Sequence, residues 1–202
     1  MCWSLAGYMS NSSFCYLGKL QCILPTEEEL ESKFEPTTFN SVDPFHNKDD
    51  RRLCWQYYAE SNIYFARNFI FHYEELCKEL TKELVLLQQE ISNKDNLTEL
   101  EQIFLKEKIK IHGFSISKSK GDVAVHFDDT RNYSINIGFY NCGNARTISS
   151  TAPKLNEFNQ YPTVDYVLSN REIYLFNTKH YHCVKQLSQS DKFRYIITYS
   201  VR

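Results

Sequence analysis

Apolar residues recur at steps of three and four through the middle of the chain and at steps of two through its C-terminal half. Phe69, Tyr73, Leu76, Leu80, Leu84, Leu87 and Ile91 make one stripe, and Glu74, Glu75, Lys78, Glu79, Lys82 and Glu83 fill the surface around it. That is the period of a helix with one buried face, and the pattern predicts helix from about residue 49 to 91. Ser92-Asn93-Lys94-Asp95 reads as a turn, after which Asn96 is placed to cap a second helix with Glu99 reciprocating. Two helices joined so closely lie antiparallel. The stripe reads first as a packing layer for a sheet and second as a partner-binding hairpin. Upstream, Thr26 with Glu29 marks a helix start, and Pro36 and Pro44 mark an irregular connector.

Beyond Lys108 the alternation becomes strand-like. Ile109, Ile111 and Ile116 suggest a strand interrupted at Gly113. Val123, Val125 and Phe127 alternate with Asp122, Ala124, His126 and Asp128. Ile135, Ile137 and Phe139 alternate with Ser134, Asn136 and Gly138. Further short strands are predicted at 163–168, 172–176, 181–185 and 193–201. Helices followed by many short strands give an α+β chain with an antiparallel sandwich or barrel. We divide it into an irregular and helical support region, 1–108, and a β core, 109–202, forming one compact unit.

A hydrophobic fraction of 42% against 24% charged residues makes the chain globular rather than disordered. The net charge of −2 conceals an asymmetry. Residues 1–112 carry 12 Lys+Arg against 18 Asp+Glu, and residues 113–202 carry 11 against 7. The β half is therefore mildly basic, which suits an anionic ligand but falls short of a nucleic-acid patch. Seven cysteines at irregular spacing, with no C-x-x-C pair, read as reduced thiols in an intracellular protein, cytoplasmic or nuclear. The N-terminus lacks the pattern of a signal peptide, and no apolar run approaches the length of a membrane span. The sequence does not specify an oligomeric state.

Candidate chemistry is confined to the β half. In a strand, His126 and Asp128 point to one side, with the small Ala124 beside them. His180 and His182 likewise share a face. On the last strand Arg194 alternates with Tyr195, Ile197 and Tyr199 and shares its more polar face with Ile196 and Thr198. An arginine directed into a barrel requires an anion, because a buried unpaired charge is costly.

His126-Phe127-Asp128, then His182-Cys183-Val184, then Arg194 resemble, in order and spacing, the Fe(II)/2-oxoglutarate-dependent oxygenase superfamily. The strand at 172–176 resembles the one that precedes the family's distal histidine, and Gly121 resembles the turn before its H-x-D. The resemblance covers about residues 109–202. It implies a double-stranded β-helix (jelly-roll) core, Fe(II) held by His126, Asp128 and His182, and 2-oxoglutarate held at its distal carboxylate by Arg194. O2 is then the oxidant. The reaction would hydroxylate or oxidatively demethylate a substrate while 2-oxoglutarate is decarboxylated to succinate. His182 is favoured over His180 by its following Val184 and its spacing to Arg194. The sequence departs from the family at Ile196, where one branch carries serine. AlkB-type demethylases resemble R-x-N-x-T-x-R here, and Ile196 and Ser200 do not fit that pattern. A glycine-rich hairpin is also missing, with Asn141-Cys142-Gly143-Asn144 its nearest counterpart. The substrate stays open among small molecule, protein side chain and nucleic acid, and residues 147–161 are the candidate substrate loop. The other readings are a catalytically silent jelly-roll binding module and a helical-hairpin interaction protein.

Overall fold

The computed structural model describes residues 12–33, 63–65, 73–128, 131–188 and 192–201. Within them the chain forms two antiparallel sheets and three helices. The larger sheet runs, in spatial order, β1 (Phe14–Lys19), β8 (Glu172–Asn177), β5 (Tyr133–Tyr140), β10 (Arg194–Val201), β3 (Phe114–Ser119) and β2 (Ile63–Phe65). The smaller runs β4 (Val123–His126), β9 (Tyr181–Gln186), β6 (Ala145–Ser150) and β7 (Thr163–Val167). From β3 to β6 successive strands change sheet at every step. From β7 to β10 they do so again.

The period-two pattern gives the larger sheet two different faces. Ile135, Ile137, Phe139, Ile173, Leu175, Tyr195, Ile197, Tyr199 and Val201 are buried on one side in the main core. That core is completed by α2 (Glu74–Ser92) and α3 (Glu99–Lys106), through Leu76, Leu80, Leu84, Ile91, Leu100 and Phe104. Within the described residues the stripe from Leu76 to Ile91 packs into the core beneath the sheet. The other face, bearing Asn136, Gly138, Tyr174, Phe176, Arg194 and Thr198, looks toward the smaller sheet. There Tyr166 of β7 stacks on Tyr174 at 4.6 Å and Phe176 meets His182 at 4.7 Å. Gly138 is a required glycine: a Cβ there would collide with the carbonyl oxygen of Ser169.

Several local expectations need correction. Helix predicted across residues 49–91 is strand at Ile63–Phe65, where β2 pairs with β3. The long helix starts only at Glu74, with Glu74 and Glu75 in its first turn favouring the positive end of its dipole. Residues 49–62 and 66–72, with Phe69, lie outside the described residues, as does the 34–47 connector. Thr98, not Asn96, caps α3. Its Oγ1 accepts from Glu101 N at 3.2 Å while its own N donates to Glu101 Oε2 at 2.8 Å. Both positions fit the spacing rule; starting at Glu99 is what turns Leu100 and Phe104 onto the sheet. The Thr26–Glu29 box does open α1 (Glu27–Lys33). Ile111–Gly113 is a 3-10 turn rather than strand. Thr147–Ser150, expected within a substrate loop, belong to β6, paired on both sides. The rest of that segment includes a 3-10 helix, Leu155–Gln160, with Phe158 buried. No helix among the described residues is long and apolar enough to cross a membrane.

Leu84 is fully buried on α2, whereas Leu86 on the same helix is 56% exposed. Leu84→Ala is expected to cost about 2–5 kcal/mol in urea unfolding, and Leu86→Ala less than about 0.5 kcal/mol.

Candidate metal centre

The smaller sheet brings two histidines side by side. β4 pairs with β9 so that Val123 faces Val184 and His126 faces His182, with an irregularity between them. Three steps on β4 thus match two on β9, which is a bulge. The strict alternation expected for 122–128 is broken there. Val123, not Ala124, shares a face with His126; Ala124 is exposed and Val123 buried. The two rings meet at 4.2 Å between centroids. β4 ends at His126, and the chain turns so that Asp128 joins them. Its backbone N donates to Thr178 O at 2.9 Å. One ligand atom from each of His126, Asp128 and His182 lies within 4.8 Å of the others.

Both imidazoles are held in the same way. His126 Nδ1 lies 2.9 Å from Ala124 O, and His182 Nδ1 lies 2.8 Å from His180 O. A carbonyl can only accept, so each Nδ1 carries the proton and each Nε2 keeps a lone pair. That is the tautomer a metal needs, fixed by a backbone atom two residues upstream. Burial pushes the His182 pKa down to about 4, reinforced by His126, and burial lowers His126 as well. Both rings are neutral near pH 7.

Asp128 is anchored by a residue that the motif did not reveal. Arg131 donates to Asp128 Oδ2 through Nε at 2.8 Å and Nη2 at 2.7 Å, leaving Oδ1 facing His126 Nε2 at 3.9 Å. Thr178 Oγ1 in turn donates to Arg131 O. Burial works against the Asp128 charge, but the Arg131 charge, the imidazoles and the Arg131 hydrogen bond outweigh it. The carboxyl sits below its usual range and stays ionised. Two neutral nitrogens and one carboxylate oxygen on one side are the donor set of a divalent first-row cation with open positions opposite.

Arg194 opens β10 at the far end of the same interior. It is 6% exposed, and its Nη2 donates to Gly121 O at 2.8 Å and Ser119 Oγ at 3.2 Å. Among the described residues no carboxylate lies within ion-pair distance of it. Burial lowers its pKa, which Cys142 and Asp122 offset only in part, and Asp122 is already engaged by Lys185 Nζ and Gln186 N. Gly121, with φ of 80°, makes the turn whose carbonyl reaches the guanidinium. Near the histidines, Asn136 accepts from Thr198 Oγ1 and donates to Tyr166 OH, giving the interior a polar middle.

His126, Asp128 and His182 are thus brought together, and Arg194 is buried on the same inner face. His180 is not part of the cluster: its ring lies against Ser13 Oγ at 2.9 Å and Asn177 Nδ2 at 3.4 Å. The motif missed Arg131 and Ser119. Arg131 sits three residues after Asp128, a spacing at which arginine often reaches an acid, and that was the available signal. Ser119 carried none.

A pH dependence follows for the metal-free protein. A histidine whose folded pKa lies below its unfolded value of about 6.5 destabilises the fold as pH falls through that window, because only the unfolded chain takes the proton. Stability should drop by about 1–3 kcal/mol between pH 6.5 and 4.5. His182→Leu should make that segment of a urea-unfolding series shallower, leaving the smaller loss from His126 and His180 and the loss below pH 4 from carboxylates such as Asp128.

No family model matches the chain, and no curated protein matches it. Among solved structures it is similar to Drosophila melanogaster CENP-C bound to CAL1, at 10% identity and a TM-score of 0.31. The similarity covers 46% of this chain and 63% of that one, so the chain spans less than two thirds of its length.

Proposed function

We propose that this chain is a non-haem Fe(II)- and 2-oxoglutarate-dependent oxygenase on a double-stranded β-helix, oxidising a C–H bond of its substrate. The observation that carries the reading is the convergence of His126, Asp128 and His182, with both imidazoles already in the ligating tautomer. The strand orders β8-β5-β10-β3 and β4-β9-β6-β7, with strands passing between facing sheets, support the fold assignment.

The residues fit both groups. His126 Nε2, His182 Nε2 and Asp128 Oδ1 would hold Fe(II), and Arg194 with Ser119 would hold the distal carboxylate of 2-oxoglutarate. Among the described residues Arg194 is buried with only neutral partners, which suits that role, since an anionic ligand relieves its desolvation. Bound together, Fe(II) and 2-oxoglutarate supply O2-dependent decarboxylation to succinate and CO2 coupled to substrate oxidation. The protein's own contribution is orientation and shielding. Arg131 keeps Oδ2 occupied so that Asp128 presents one oxygen. The two carbonyls keep protons off both Nε2 atoms. Phe176 packs edge-on against the His182 ring and limits its rotation.

Anaerobic titration with Fe(II) and then 2-oxoglutarate should give a visible charge-transfer band, followed in air by succinate release. Loss of an orienting partner alone typically costs about 10–100-fold. Asp128→Ala, which removes a ligand, should therefore lower succinate production by at least about a hundredfold while far-ultraviolet circular dichroism stays unchanged. Undiminished turnover in that variant would place the chemistry elsewhere.

A further inference from the structure

We infer that Ser149 is a ligand-binding residue that donates a hydrogen bond to the metal-side carboxylate of the bound keto acid. The inference rests on the metal-site reading above. Ser149 is the penultimate residue of β6, where it is directly opposite His182, and His182 is directly opposite His126 on β4. Directly paired residues of antiparallel strands project from the same face, with Cβ atoms about 4.5–5.5 Å apart. Ser149, His182 and His126 therefore form one row across the inner wall.

Ser149 is 1% exposed, and among the described residues its Oγ has no hydrogen-bond partner. Its neighbours on the strand behave differently: Ser150 Oγ accepts from Ala152 N. On the facing sheet Asn136, Thr198 and Ser134 satisfy one another. A buried hydroxyl without a partner costs free energy, and native interiors keep few of them. Beside a metal site the unmet group is a donor waiting for an acceptor. The chemistry that fits is an anionic oxygen on a ligand chelating the ion next to His182. In a 2-keto acid that oxygen belongs to the carboxylate adjoining the keto group, whereas the tail carboxylate belongs to Arg194 at the other end.

Two ligands separate the ends. Pyruvate has the keto-acid end and no second carboxylate; 2-oxoglutarate has both. Anaerobic Fe(II)-protein is titrated with each, reading the charge-transfer band, for wild type, Ser149→Ala, Ser149→Thr and Arg194→Met. A hydrogen bond to a charged group corresponds to roughly a tenfold to hundredfold change in Kd. Ser149→Ala should weaken both ligands by that factor, with Fe(II) affinity unchanged and the metal-free protein melting no lower than wild type. Ser149→Thr should restore binding, and Arg194→Met should weaken 2-oxoglutarate alone. Unchanged Kd values in Ser149→Ala would overturn this inference and leave the metal site standing. So would weakening of 2-oxoglutarate without pyruvate, or loss of Fe(II) affinity with a lower melting temperature. Wild-type protein that binds no Fe(II) would overturn both.

Discussion

The antiparallel register between β4 and β9 is the constraint on which the proposed chemistry depends. It sets His126 opposite His182, and a shift of one residue would send both rings to opposite faces. The bulge in β4 lets Val123 remain in the buried row while His126 still meets its partner. It also ends the strand in time for the chain to turn Asp128 back toward the rings, where Thr178 O receives its amide. A regular strand would have continued the alternation and carried the carboxylate onward along the sheet, away from the pair of imidazoles. The irregularity is thus part of how two sequence positions separated by one residue, and a third far along the chain, come to share a point in space.

That small sheet is held in place by a large one whose two faces have opposite character. Its apolar face is consumed by α2 and α3, in a core that includes Leu80, Leu84, Leu100 and Phe104, all fully buried. Because the stability of the fold is concentrated there, the opposite face can carry Arg194, Asn136 and Thr198 without being the main source of cohesion. The polar side chains of that interior are mostly satisfied by one another, as in the Asn136–Thr198–Tyr166 contacts. Among the described residues, Arg194 is buried against neutral oxygens and Ser149 Oγ has no hydrogen-bond partner. They lie at opposite ends of the interior, one at the start of β10 and one beside His182. A ligand with an anionic group at each end would meet both.

The sequence was most legible where a period was long and clean. The stripe from Leu76 to Ile91 located a helix, and alternation at 135–139 and 195–199 located two central strands together with their apolar and polar faces. H-x-D, His182 and Arg194 were readable because ligand chemistry demands particular residue types. Other features left weaker traces. The strand Phe14–Lys19 has a glycine at Gly18 and a broken register against β8, so its alternation is blurred. Ile63–Phe65 is too short to compete with the helical pattern around it. The roles of Ala124 and His180 at the site are played by backbone carbonyls, which every residue possesses, so no side chain announces them. Ser149 gains its meaning only from a cross-strand neighbour 33 positions later, His182.

In the proposed site His126, Asp128 and His182 share one cation. Anomalous diffraction at the iron edge, from crystals grown anaerobically with Fe(II), tests it without reference to any substrate. A single strong peak is expected, bonded to both Nε2 atoms and to an Asp128 oxygen, with the Nδ1 contacts to Ala124 and His180 intact. A well-ordered site without that peak, or iron bound at other residues, would contradict it.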